Sequence, residues 1–521
     1  MTHRRAKTLM FLGTGSDVGK SVLAAAFCRI LKQDGYHVAP FKAQNMALNS
    51  FITPEGGEMG RAQVVQAEAA GIPPHVDMNP ILLKPTSSMG SQVIVLGKAV
   101  GNFSAKEYYA YKKQLVSVVR DAFHRLAARY DVVVLEGAGS TVELNLKEHD
   151  LVNLAMARMA QAPCLLVGDI DRGGIFASLL GSLMLMDRED QDRIAGFIVN
   201  KFRGDPDLFQ PGVRILEERS GRPVLGVVPY FQHISIAEED SVALAKRVSQ
   251  GADEHVSPDL LEIGVVRLPF VSNYTDFQCL EQDPRVRLVY FDKPAAVFRC
   301  DAVIVPGSKN TIEDMLALER SGLADALRAY HKADGVLVGI CGGYQMLGRR
   351  ILDPHGVESG VREAQGLGLL PMTTEMASEK ITTQVTARLQ DSNPLNAGDL
   401  YPLYGYEIHM GRSRFDGDAN VLPLFHIVQR NGRDVPKDEA SDGAWADGGR
   451  VWGTYIHGIF DNDAFRTRFL AFLAARKGKD LAVHDGSFAF SRWKEQQYDL
   501  LADHVRRHCD VERILRLMGL R

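Results

Sequence analysis

The stretch LMFLGTGSDVGKSVLAAAFCRIL, residues 9–31, runs an apolar segment into a glycine-rich turn, Lys20-Ser21 and an amphipathic helical pattern. A strand feeding a turn that opens a helix is the setting a nucleoside-triphosphate loop requires. Gly13, Gly15 and Gly19 leave space for backbone N–H groups to face a phosphate, with Thr14, Asp17 and Val18 completing the loop, and the helix N-terminus adds positive potential. Lys20 is expected to reach the β- and γ-phosphates of ATP, and Ser21 to ligate Mg²⁺. The spacing is a variant, because the usual GxxxxGK[ST] string would put its first glycine where Thr14 stands, and Gly13 comes one residue earlier. A tight strand-to-helix turn with an incidental lysine is the competing reading, and the flanking pattern speaks against it.

Working outward from this loop, short apolar runs alternate with helical patterns as far as about residue 230, the order of a parallel sheet covered by helices. Strands are expected at Thr8 to Gly13, His37 to Lys42, Asp131 to Gly137, Ala162 to Asp169, Ile194 to Lys201 and Pro223 to Pro229. DVVVLEGAGS (131–140) puts Glu136 at the carboxyl end of one of them, where open α/β sheets bind ligands. An acid there is expected to hold the nucleotide's Mg²⁺ together with Ser21, although alone it reads equally well as a solvated strand-end acid. Lys42, in HVAPFKAQN (37–45), serves either a phosphate or a substrate carboxylate, or is a surface lysine.

At 521 residues the chain exceeds the size at which one core stops growing, so two domains are expected. Polar text at 236–259 reads as a linker between a P-loop domain at 1–235 and a second α/β domain at 260–521, the latter including the C-terminal helices. The amphipathic stretch from Trp493 to Leu520 is expected to pack within the chain. Apolar residues make up 45% and charged residues 24%, with 60 basic against 64 acidic and a net charge of −4, which leaves no footprint for nucleic acid or an anionic membrane. Small-molecule partners fit best, and the six scattered cysteines suit a reducing cytoplasm. No apolar run is long enough to span a membrane. Oligomeric state is open, with a homo-oligomer admitted.

In the second half the run GVLVGICGGYQMLG (335–348) sets Cys341 at a sharp strand-to-helix turn, with glycines at 339, 342 and 343 permitting the tight backbone: a nucleophile elbow in thiol form. A helix N-terminus and a nearby imidazole activate such a thiol. His457, ending the apolar segment VWGTYIH, is the leading base. A buried inert thiol is the alternative for Cys341.

Three resemblances follow from these residues. GTGSDVGKS, EGAGS and VNKF resemble the dethiobiotin-synthetase-like branch of P-loop proteins, which implies activation of a carboxylate as an acyl phosphate and a base-reading role for Asn200, a residue that also forms turns. GICGGYQ with a strand-end histidine more than a hundred residues downstream resembles the triad-type glutamine amidotransferases over residues 260 to 465. That resemblance implies a thioester on Cys341, oxyanion contacts from Gly307 and Gly342, and glutamine binding by Gln345. Most such enzymes carry an acid two residues after the histidine, where this chain has Ile459, so the acid that orients His457 is either missing or comes from elsewhere.

FKAQNMALNS, NPILLKPTS, GDIDRGGIFAS, VNKFRGD, VPGSKNT, GYEIHMG and GTYIHGIF together resemble the cobyric acid synthases across nearly the whole chain. This implies ATP- and glutamine-dependent amidation of the b, d, e and g carboxylates of a corrinoid, adenosylcobyrinic acid a,c-diamide, in cobalamin biosynthesis. A polycarboxylate acceptor needs cationic donors, and Lys42, Lys84 and Arg172 stand at strand ends or loops. Asp169 and Asp171 assist a metal or substrate, or simply cap the turn at Gly173 and Gly174. The competing readings are a ligase acting on cobyrinic acid or a nucleotide, and a partner-binding ATPase of the ParA/MinD kind; Gly15, standing where the latter carries a second lysine, speaks against it.

Overall fold

The computed structural model describes residues 6–85, 90–231, 233–237, 260–390, 392–395, 400–417, 421–481 and 488–521. Of the expected linker, 238–259 lie outside the described residues.

Packing divides the chain into two units. The first is built on a six-stranded parallel sheet in the order Val224–Pro229, Ile194–Phe202, Cys164–Asp169, Lys7–Gly13, Val132–Glu136 and Val38–Phe41. All six strands expected in this half are present. Helices cover both faces, so both faces are buried and the strands read as nearly unbroken apolar runs. Lys7–Gly13 pairs with Val132–Glu136 on one side and Cys164–Asp169 on the other, and this brings the phosphate loop, Glu136 and Asp169 to the same carboxyl edge. A four-stranded sheet of Gln44–Met46, Ile81–Pro85, Gly90–Val95 and Lys98–Ser104, which the sequence reading did not anticipate, precedes the long helix Ala105–Ala127. That helix opens with a capping box between Ser104 and Glu107.

The second unit has its own sheet, in the order Val286–Phe291, Leu261–Val266, Ala302–Val305, Val336–Ile340, Val451–Thr454 and Ala444–Ala446, parallel except at the last pair. Beside it, Met372–Leu389 and Leu403–Phe415 form a long antiparallel ribbon, and Ile456–His457 adds to the ribbon opposite Tyr406–Glu407.

Two segments depart from the expected division at 236–259. Leu48–Gly57 packs in the second unit although the chain on both sides of it belongs to the first, and Lys494–Arg521 packs in the first unit rather than with the second domain. The helix Phe490–His508 is amphipathic, and the partner for its apolar face is the helix Lys20–Gln33: Leu501, Ala502 and Val505 are buried in one cluster with Leu23, Ala24, Phe27 and Leu31. Arg29, itself buried, reaches Glu495 at 2.8 Å and Asp499 at 2.7 Å. The backbone of Asp510 donates to Leu225 O at 2.8 Å, tying the last turn to the sheet edge.

The Leu501→Ala substitution should therefore lower the unfolding free energy of the first unit by about 2–5 kcal/mol. Trp445, Trp452 and Trp493 all lie in the second unit, so urea titrations should show the far-UV dichroism midpoint falling while the tryptophan fluorescence transition stays in place.

Candidate functional site

In the first unit the loop folds as its residue types dictate. Gly19 has φ 99°, and a Cβ there would lie 2.0 Å from Asn200 Nδ2, so only glycine is accommodated. A Cβ on Gly13 would lie 2.7 Å from Lys20 Nζ, so this glycine is where the lysine passes over the loop. The Lys20 ammonium donates to Gly15 O at 2.7 Å and to Gly139 O at 3.0 Å, joining the loop to the EGAGS turn. Thr14 bridges to Ser140, and Thr141 donates twice to Gly13 O at 2.9 Å. Asp17 takes a left-handed backbone and accepts from the exposed Arg172 at 3.2 Å.

Asn200 is fully buried beneath the loop, where its Nδ2 donates to Val18 O at 2.8 Å and its Oδ1 has no hydrogen-bond partner. Asn200 thus ties its strand to the loop through Nδ2 and leaves Oδ1 without a partner.

Glu136 is the electrostatic centre of this edge. Its Oε1 accepts from Ser21 Oγ at 2.7 Å and from Lys42 Nζ at 2.8 Å, and its Oε2 from Gln66 at 2.6 Å and Gln63 at 3.4 Å. Burial alone would raise this carboxyl's pKa, but the Lys42 ammonium, the Ser21 hydroxyl and the Gln66 amide outweigh it and hold the acid below its usual range. The donor set suits Mg²⁺: a hydroxyl and a carboxylate already in contact at a helix start, with Lys42 the cation a metal would compete with at Oε1. Among the described residues no group of three or more His, Cys, Asp or Glu side chains forms a metal cluster. Asp169 and Asp171 are engaged in the turn and in ion pairs, with Lys201 at 3.0 Å and Arg203 at 2.7 Å. Lys84 is buried against Glu58 at 2.9 Å.

In the second unit Cys341 ends the strand Val336–Ile340 with φ 51° and ψ −107°, a conformation non-glycine residues rarely adopt. The neighbouring glycines make it attainable. A Cβ on Gly343 would lie 1.8 Å from Val305 O, and one on Gly342 would lie 2.8 Å from Ser308 N, so the helix start is pressed against the 305–308 loop. That loop is pinned from behind: Ser308 Oγ donates to Asp314 Oδ2 at 2.5 Å, and Phe270 N to Asp314 Oδ1 at 3.0 Å. Burial pushes Asp314 up to about 7 against these hydrogen bonds.

His457 is brought to the sulfur by the bend after Val451–Thr454 and is 1% exposed. A Cβ on Gly307 would lie 3.3 Å from its Cε1, which places the oxyanion-loop glycine beside the imidazole. The orienting acid that Ile459 fails to supply is Asp276. Its Oδ2 lies 2.6 Å from His457 Nδ1, and its Oδ1 accepts from Gly458 N at 3.2 Å. Nδ1 therefore carries a proton toward the carboxylate, and Nε2 is left to serve Cys341. Burial would lower the imidazole's pKa, but the Asp276 carboxylate and the Cys341 sulfur reverse that and raise it to about 10. Such a base is suited to take the thiol proton.

Gln345 is buried one turn into the helix, accepting from Thr311 Oγ1 at 3.0 Å and donating to Tyr455 OH at 3.3 Å. Its amide is held by the protein, so any role toward glutamine runs through that framework.

The sequence reading thus found Cys341, His457, Gly307 and Gly342, which the fold brings together, but missed Asp276, 181 residues before the histidine. The available signal was position, since VSNYTDF follows the strand Leu261–Val266 at the carboxyl edge of the same parallel sheet.

A phosphate loop in one unit and a cysteine elbow with its histidine and aspartate in the other define a nucleotide-binding protein joined to a glutamine amidotransferase. Residues 9–244 match the CobQ/CobB/MinD/ParA nucleotide binding domain, and residues 262–465 the CobB/CobQ-like glutamine amidotransferase domain. The chain is 66% identical over 516 residues to the cobyric acid synthase of Syntrophobacter fumaroxidans, covering 99% of each. It is 50% identical over 519 residues to that of Photorhabdus laumondii, covering 98% of each, and 49% identical over 529 residues to that of Desulfitobacterium hafniense, covering 99% of each. The chain belongs to the cobyric acid synthase family. No helix among the described residues is long and apolar enough to cross a membrane.

Removing the orienting carboxylate with Asp276→Asn should leave the imidazole in place but wrongly protonated. Steady-state assays should show kcat for glutamine hydrolysis falling by about 10²–10⁴-fold, with KM for glutamine nearly unchanged. A kcat close to that of the unaltered enzyme would remove Asp276 from the array.

Proposed function

We propose that this chain converts adenosylcobyrinic acid a,c-diamide to adenosylcobyric acid by amidating its b, d, e and g carboxylates, one ATP and one glutamine per amide. The observation that carries the amide-forming chemistry is the intact Cys341–His457–Asp276 array on a chain whose other unit keeps Lys20, Ser21 and Glu136 around a phosphate loop. Full-length identity to the synthases supports the acceptor.

In the first unit Lys20 and the loop N–H groups bind and orient the phosphates, so that an oxygen of the acceptor carboxylate attacks the γ-phosphorus and ADP departs. Ser21 and Glu136 would hold Mg²⁺, which would neutralise the phosphate charge when bound. The product is an acyl phosphate, a mixed anhydride whose phosphate is a good leaving group. For the polycarboxylate acceptor, Lys42, Lys84 and Arg172 are the assigned cations. Arg172 has the more open position, its side chain being 61% exposed. The buried, unpartnered Oδ1 of Asn200 is an acceptor suited to an exocyclic amino group, which supports adenine reading there.

In the second unit the Cys341 sulfur, its proton passed to His457 Nε2, attacks the side-chain amide carbon of glutamine. Backbone N–H groups of Gly307 and Gly342 receive the oxyanion. The imidazolium returns the proton to the departing nitrogen, ammonia leaves, and water cleaves the thioester to glutamate. Ammonia then attacks the acyl carbon, phosphate leaves, and the amide is formed.

With glutamine as sole nitrogen source, Cys341→Ser should reduce amide formation by about a thousandfold or more, while ammonium chloride at alkaline pH should restore it. Lys20→Ala should abolish both. Undiminished amide from glutamine in Cys341→Ser would overturn the proposal.

A further inference from the structure

The turn that carries Asp276 does not stand on the second half of the sequence alone. Residues 48–57, from the first half, are packed into it. Asn49 is 1% exposed, and its Oδ1 accepts from the backbone N–H of Tyr274 at 3.2 Å. Ser50 N donates to Asn273 Oδ1 at 3.3 Å. Asn273 takes a left-handed backbone at φ 53° and accepts at its carbonyl from Asp276 N at 3.0 Å, closing the turn.

The same segment holds the ring that lies on the imidazole. Tyr406 OH accepts from Asn273 Nδ2 at 3.1 Å and donates to Ser50 O at 3.3 Å. Phe51 packs against the edge of the Tyr406 ring at 4.9 Å. The other face of the relation is catalytic: Tyr406 stacks on His457 at 5.2 Å with an interplanar angle of 16°. Ile52, fully buried, clusters with Tyr406 and Ile408, and Ile408 O lies 3.6 Å from Cys341 Sγ. Ser272, at the start of the turn, donates to Gly307 O at 2.9 Å, so the oxyanion loop hangs from the same backbone.

We propose that Asn49 is a positioning residue of the glutaminase array, fixing the 273–276 turn so that Asp276 meets His457, with Ser50 and Tyr406 as its supports. It touches no reacting atom and acts through the Tyr274 amide, with the next residue, Ser50, holding the Asn273 side chain. Asp276 has no freedom to follow a displaced turn without losing either His457 Nδ1 or Gly458 N, and a displacement on the order of 1 Å costs about a hundredfold in rate. The proposal rests on Cys341 and His457 being the glutamine-hydrolysing pair.

The test compares unaltered, Asn49→Ala, Tyr406→Phe and Cys341→Ser full-length protein with glutamine and, separately, with ammonium chloride. Asn49→Ala should lower kcat for glutamine-supported amidation by about tenfold to a hundredfold, with KM for glutamine and the ammonium-supported rate within about twofold of the unaltered protein. Tyr406→Phe keeps the ring on His457 and removes only the hydroxyl that joins Asn273 to Ser50. It should give a smaller loss with the same signature, and it decides the matter should Asn49→Ala not fold. Glutamine kcat within about twofold in both variants, or an equal loss with ammonium, would overturn the proposal. Retained glutamine activity in Cys341→Ser would instead strike the reading beneath it.

Discussion

The second unit is organised around one contact, the 2.6 Å approach of Asp276 Oδ2 to His457 Nδ1 in a place where both side chains are almost entirely out of water. Taking an acid and an imidazole out of water is costly unless each finds its partners, and removing one partner leaves the other stranded. Asp276 meets that demand with the ring on one oxygen and the Gly458 amide on the other. Three separate backbone segments must converge to allow this: the turn after Leu261–Val266, the elbow after Val336–Ile340 and the bend after Val451–Thr454. A parallel sheet delivers all three at its carboxyl edge.

The first unit solves a different electrostatic problem with the same architecture. Glu136 ends a strand paired to the one that leads into the phosphate loop, and it gathers a cation, a hydroxyl and two amides. Where Asp276 serves one base, Glu136 stands amid several donors beside the phosphate loop. The two acids stand at the carboxyl edges of two parallel sheets, each with its own set of hydrogen-bond donors.

What could be read beforehand follows from which physical signal each feature leaves in the sequence. Strands such as Val132–Glu136 and Val336–Ile340 are buried on both faces, so they write themselves as unbroken apolar runs, and the glycines around Cys341 mark a backbone that tolerates no Cβ. Asp276 leaves no such trace, because a carboxylate in a turn looks the same whether it caps a helix or meets a histidine 181 residues away. Likewise the amphipathic pattern of Phe490–His508 announces an apolar face but not its partner, and Leu501 packs with Phe27 rather than with the domain just traversed. Asn49 lies within FKAQNMALNS with no periodicity to mark it, and its place shows only where its Oδ1 accepts from the Tyr274 amide.

The path of the polypeptide has a further implication for how such an enzyme is divided among genes. The chain leaves the first unit for Leu48–Gly57, re-enters it, departs again for the glutaminase and comes home with Lys494–Arg521. One scission in the stretch joining the halves would produce two fragments, each lacking a strip the other had kept. Fission into separate subunits would therefore require the glutaminase to grow a substitute for the lost strip and the ATPase to replace its closing helix, so this topology favours inheritance as a single reading frame.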